Sequence, residues 1–135
     1  MSAEAQMSMT HGPHGELGLF YERWNAAFDQ RDSAAFVALY APNARLMPPG
    51  AMALVGRDAI RSYIEKTFFA VGIVGSQMQS AIVIDDREYV TDIGTYVLTF
   101  EGGLRATGNY MTIFRPSVDG ELQACYDIFS ASDPL

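Results

Sequence analysis

Asp127 lies inside the last apolar run of the chain, Leu122-Gln-Ala-Cys-Tyr-Asp-Ile-Phe129. An ionised carboxylate in such a segment is costly unless it finds donors or shifts its pKa. Asp127 is therefore on a wet face, tied down by hydrogen bonds, or on the wall of a pocket. In a pocket, partial desolvation raises its pKa and suits it to general acid or base work near neutral pH. Tyr96 and Tyr110 are two further candidates, since a tyrosine hydroxyl on a cavity wall polarises a carbonyl or holds an enolate. The bland alternative for each is packing with a satisfied hydroxyl. No histidine follows His14, so histidine triads and histidine-held metals are excluded from the core. His11 and His14 supply two ligands, fewer than a zinc site needs. Cys125 has no histidine to activate it and reads as a small buried hydrophobe.

The elements that position these residues follow from periodicity. Leu17, Phe20, Trp24, Ala27 and Phe28 form one face of a helix over 16–31. Asp32 is an N-cap for a second helix over 33–40, stopped by Pro42. Residues 45–47 form a short strand, and Pro48-Pro-Gly50 opens a loop. A third helix over 57–69 places Ile60, Ile64 and Phe68 at a spacing of four. Long strands follow over 77–84, 88–101, 105–115 and 121–130, with Gly102-Gly103 as a hairpin turn. Alternation puts Tyr96 with Leu98 and Phe100, and Tyr110 with Thr112 and Phe114. In the last strand it puts Gln123, Cys125, Asp127 and Phe129 on one face, and Leu122, Ala124, Tyr126 and Ile128 on the other. Helices followed by antiparallel strands predict an α+β fold. Residues 1–15 read as a flexible lead-in and 16–135 as one domain.

The net charge is −7, from one lysine, eight arginines and 16 acidic residues. An acidic chain with no basic stripe excludes nucleic acid and an anionic membrane surface as expected partners. No apolar run reaches the ~18 residues of a membrane span. One cysteine rules out an intrachain disulfide, which fits a reducing, cytoplasmic setting.

The order and spacing of several blocks resemble the nuclear transport factor 2-like superfamily, in its SnoaL-like and ketosteroid-isomerase-like branch. The blocks are Trp24-Asn-Ala-Ala-Phe28, Arg31-Asp32, Ala38-Leu-Tyr-Ala-Pro-Asn-Ala44, Pro48-Pro-Gly50, Gly56-Arg-Asp-Ala-Ile60, Gly94-Thr-Tyr96, Gly108-Asn-Tyr110, Phe114-Arg115, Asp119-Gly120 and Asp127-Ile-Phe-Ser130. The resemblance implies a cone: a curved antiparallel sheet wrapped around three N-terminal helices, with an apolar cavity at its open end. It also implies homodimerisation through the outer sheet face. The reaction expected of this chain uses no cofactor and no metal. The tyrosine, aspartate base and second acid of the steroid isomerases fall here on Trp24, Pro48 and Thr112. Tyr126-Asp127-Ile-Phe129 looks like the late-strand motif of the limonene-epoxide hydrolases, but their Arg-x-Asp pair has no counterpart near Gly94 to Tyr96. Asp127 thus becomes the expected acid or base, on a cavity face shared with Cys125 and Phe129. Tyr110 and Tyr96 become its expected oxyanion donors. Trp24, Phe28, Tyr40, Met47, Thr112 and Phe129 become the expected wall for a small hydrophobic or aromatic ligand. Isomerisation, cyclisation and lyase-type elimination fit that set; so does a binding domain without turnover.

Overall fold

The computed structural model describes residues 12–132. Helix α1 (Gly12–Gln30) presents the expected stripe of Leu17, Phe20, Trp24, Ala27 and Phe28, all buried. Of the lead-in expected at 1–15, residues 1–11 lie outside the described residues, and 12–15 are already helical. The chain leaves α1 through Arg31, at φ 50, and enters α2 (Ser33–Val37). The Asp32 carboxylate accepts from Ala35 N at 3.0 Å, the expected N-cap. Helix α2 ends earlier than its periodicity suggests, because the Leu39 carbonyl accepts Ala124 N at 2.9 Å and strand pairing takes over. Tyr40 therefore opens strand β1 (Tyr40–Met47) instead of closing a helix. Pro42 sits within β1 where the register slips, the place in a strand where a missing N–H is tolerated.

A two-residue strand, β2 (Leu54–Val55), stands where only a loop was expected. Helix α3 (Arg57–Tyr63) then runs into a π-helical turn, Ile64–Phe69. Ile60, Ile64 and Phe68 are all buried along this continuous helical segment. Arg31 ties this region together: its guanidinium donates to Phe69 O at 3.0 Å, pairs with Glu101 at 3.2 Å and lies over the Phe69 ring.

Four long strands complete the sheet: β3 (Ile73–Asp85), β4 (Val90–Phe100), β5 (Arg105–Pro116) and β6 (Leu122–Ala131). The order is β2-β1-β6-β5-β4-β3, in one curved, unclosed sheet with the helices at the N-terminal end of the chain. The fold is α+β, as expected. One pair departs from the antiparallel expectation: β1 runs parallel to β6. The core lies between the inner sheet face and the helices, with Trp24, Phe28, Phe36 and Tyr40 at its centre. Gly102 and Gly103 turn the β4–β5 hairpin, both at positive φ, which glycine adopts without strain.

A bulge corrects the reading of β6. Phe114 pairs with Ala124, yet Ile113 pairs with Tyr126, so Cys125 is an extra residue. Alternation restarts after it. Leu122 and Ala124 share the inner face with Asp127 and Phe129, while Cys125 faces an outer groove beside Asn43, Arg45 and Arg115.

Sheet curvature rests on close approach at two glycines. A Cβ at Gly94 would land on the Gln79 carbonyl, and one at Gly108 on the Ser130 carbonyl and the Tyr96 hydroxyl. Gly108→Ala should destabilise the chain by about 1–3 kcal/mol or more, as overpacking does, measured by urea denaturation; an unchanged midpoint would show that the strands relax freely there.

Candidate active site

Sheet register brings the chemistry together. One row across the inner face runs Asp92, Thr112, Asp127 and Leu46, from β4 to β1. The next runs Ser80, Gly94, Tyr110 and Phe129, from β3 to β6. A third places Met78 beside Tyr96 and Tyr96 beside Gly108. Some members of each row face an apolar cavity walled by Trp24 and Tyr40 beside Asp127, Tyr96, Tyr110 and Phe129. Leu46, Phe68, Ser76, Met78 and Leu98 complete the wall. It leaves about 30 Å³ to the centre of a water molecule, room for a small occupant.

Six of the nine expected site residues therefore meet at one cavity. The other three do not line it. Phe28 is 1% exposed and packs against Trp24, Phe36 and Phe68, as plain core. Met47 pairs with Ile128 on the outer face, because its neighbour Leu46 takes the inward position. Thr112 is buried behind the wall, donating to Asp127 Oδ1 at 3.0 Å.

Asp127 has no cation. None of the ion pairs among the described residues includes it. Tyr40 donates to Oδ2 at 2.7 Å, so each carboxylate oxygen has one hydroxyl donor. Burial raises the carboxyl above its ordinary 3.8, and the two hydroxyls pull it partly back. Burial, followed by the nearby Asp127, raises Tyr40 well above the ordinary phenol value, so this donor keeps its proton.

Sequence reasoning missed Asp92 and Tyr21. Asp92 is fully buried on β4, and both Tyr21 and Tyr110 donate to its Oδ2 at 2.7 Å. Its Oδ1 has no hydrogen-bond partner among the described residues. A signal for Asp92 was present: the alternation that turns Tyr96 and Leu98 inward turns Asp92 inward too. Tyr21 lies one residue beyond Phe20 on α1, at the margin of the apolar stripe, and its ring meets Phe20 edge-on. Burial first, and then Asp92, raises both phenols above their ordinary value.

The expected oxyanion donors sit on the wall with their protons turned away from it. Tyr110 donates to Asp92, and Tyr96 reaches over Gly108 to donate to the Ser130 carbonyl at 3.0 Å. In this arrangement neither proton is offered to a ligand oxygen. Trp24 Nε1 lies 3.4 Å from Ser76 Oγ, which in turn donates toward Met78 Sδ. No group of three or more His, Cys, Asp or Glu side chains among the described residues is arranged to hold a metal. The His11/His14 pair falls outside the residues whose side chains are described.

No curated protein matches the chain. Solved structures do. A ketosteroid isomerase-like protein from Erwinia carotovora atroseptica is 20% identical, with a TM-score of 0.72 over 89% of this chain and 96% of that one. Aln2 from Streptomyces sp. is 19% identical, with a TM-score of 0.75 over 90% and 93%. A protein from Catenulispora acidiphila in complex with S-DNPA is 14% identical, with a TM-score of 0.73 over 87% and 92%. At these identities the likeness is one of fold. A family model described as a SnoaL-like domain matches residues 21–124, most of the chain. The chain belongs to the SnoaL-like domain family of the NTF2-like superfamily.

Proposed function

We propose that the protein is a cofactor-independent enzyme that moves a proton on a small apolar or aromatic molecule, with Asp127 as the acid or base. Isomerisation, cyclisation and elimination all use that step. The observation that carries this reading is a carboxylate on the wall of an apolar cavity, without a cation and raised by burial. A base whose pKa is lifted toward the working pH both accepts and returns a proton efficiently. Trp24 and Phe129 offer flat apolar walls, and Tyr110 and Tyr96 hold the ligand beside the carboxylate. Met78 is the flexible wall residue that gives way as a larger ligand enters.

A second reading has one observation in its favour. Both Asp127 oxygens already have donors, as a purely structural carboxylate would. The cavity would then bind a ligand without turnover. Its single cysteine leaves either version suited to a reducing, cytoplasmic setting.

Assembly completes the proposal: the chain acts as a homodimer through its outer sheet face. Ile82, Ile93, Met111, Ile128 and Met47 form a continuous apolar row there, across five strands. Ile82, Met111 and Ile128 are 53%, 39% and 46% exposed, more apolar surface in one row than scattered surface residues account for.

These statements have measurable consequences. Asp127→Asn should abolish turnover in a mass-spectrometric screen of aromatic ketones and polyketide-like compounds while the fold survives. Thermal shifts without product, in the wild type, would favour the binding domain.

The same carboxyl has a pH signature. Because its folded value is raised, the stability it contributes is complete below 3.8 and is lost as pH rises through the raised value. The stability of wild type minus that of Asp127→Asn, from urea melts, should fall across that window; a flat difference would contradict the assignment. Tyr40→Phe removes a hydrogen bond that lowers Asp127, so it should push the carboxyl further up and cost about 1–3 kcal/mol at neutral pH. The cost should shrink in acid.

Met111→Glu should convert the dimer to a monomer in sedimentation experiments. A wild-type monomer at high concentration would remove the assembly proposal.

A further inference from the structure

Ser76 carries the most weakly held hydroxyl of the cavity wall. It lies on β3, 6% exposed, and lines the cavity with Leu98, its partner across the strand pair. Trp24 Nε1 donates to its Oγ at 3.4 Å, near the outer limit of a hydrogen bond. The Ser76 proton goes to Met78 Sδ at 3.4 Å, and a thioether sulfur is a weak acceptor. Both partners, Trp24 and Met78, are wall residues themselves, so the hydroxyl sits among groups that line the same space.

The other hydroxyls of the wall are held more firmly. Tyr40 donates to Asp127 and Tyr110 to Asp92, each to a carboxylate oxygen at 2.7 Å, and Tyr96 donates to the Ser130 carbonyl at 3.0 Å. A hydrogen bond to a carboxylate is roughly twice as strong as one between neutral groups. A ligand oxygen has to break such a bond to win a phenol proton. At Ser76 it displaces only a sulfur, on an unbranched and flexible side chain. The hydroxyl then turns about its Cβ–Oγ bond, with the indole N–H still donating to its oxygen.

We propose that Ser76 is the hydrogen-bond donor to the ligand's oxygen, released from Met78 Sδ as that side chain gives way, and that the ligand is a carbonyl compound, a small apolar or aromatic ketone or aldehyde. This rests on the reading of the cavity as a ligand site with Asp127 as its base, and it deepens that reading by naming the group the ligand presents. Trp24 is a positioning residue. Its Nε1–H holds the Ser76 oxygen, and its ring packs against Tyr40, whose hydroxyl holds Asp127. Two strands separate β3 from β6, and both Ser76 and Asp127 line the cavity, so a ligand between them turns its oxygen to one and a C–H to the other. Asp127 takes the proton from the carbon beside the carbonyl; the C–H pair forms a C=C bond, and the C=O π pair moves onto the oxygen. Ser76 donates to that oxygen, and Asp127 returns the proton to carbon.

The test uses the full chain and two probes of matched shape, acetophenone and α-methylstyrene, which has a methylene in place of the carbonyl oxygen. Affinity is followed by NMR titration, and the C=O stretch of bound, isotope-labelled acetophenone by difference infrared spectroscopy. In the wild type the stretch should move to lower frequency, the mark of a carbonyl that accepts a hydrogen bond. Ser76→Ala should remove most of that shift and weaken acetophenone about fivefold, the worth of one hydrogen bond, with α-methylstyrene unchanged. Met78→Leu keeps the bulk and removes the sulfur, so the shift should be at least as large as in the wild type. Tyr96→Phe and Tyr110→Phe should keep the shift, whatever their effect on affinity. Acetophenone bound without a shift overturns the inference and leaves the proposed function standing. A shift that survives Ser76→Ala undiminished, or that is lost in Tyr96→Phe or Tyr110→Phe instead, does the same. Absence of binding by either probe removes both the inference and the ligand site. Should Ser76→Ala fail to fold, Ser76→Cys decides the matter: a thiol is a weaker donor, so the shift should shrink.

Discussion

Two carboxylates on the inner face of one sheet have to be supplied with donors, and here the donors are hydroxyls rather than cations. Asp127 takes Tyr40 and Thr112; Asp92 takes Tyr21 and Tyr110. A hydroxyl brings no charge of its own to desolvate, so it satisfies a buried acid without the penalty that an arginine or lysine carries inward. The absence of a neutralising charge is also what leaves Asp127 raised.

These bonds tie distant parts of the chain to one another. Tyr40 lies where the chain passes from α2 into β1, so its bond to Asp127 joins that junction to the last strand. Tyr21 lies on α1, and its bond to Asp92 pins the helix across the sheet near β4. The aromatic contacts around Trp24 supply the bulk of the interface, but they are non-directional. The hydroxyl–carboxyl pairs set the position at which the helix stops.

Much of this was legible from periodicity. The helical stripe from Leu17 to Phe28, the Asp32 cap and the Gly102-Gly103 turn all follow from local patterns that the fold obeys. What escaped is what local patterns do not encode. Tyr40 reads as the end of a helix until Leu39 is seen to pair with Ala124, a contact between residues far apart in the chain. Met47 reads as pocket lining because a short strand gives too few residues to settle its phase. Asp92 escaped for a different reason: an isolated acid in an alternating strand resembles a solvent-facing residue until the phase is carried back from Tyr96. Cys125 was placed on the wrong face because a bulge leaves no mark on composition.

That bulge has a consequence for how this strand is compared with any other. Because Cys125 is surplus to the ladder, a sequence lacking it would keep Leu122, Ala124, Asp127 and Phe129 on the same side with unbroken alternation. A strand without this bulge is therefore to be matched to β6 with a gap at Cys125-Tyr126; matched without one, its inward residues would be set against the outward neighbours of Asp127 and Phe129.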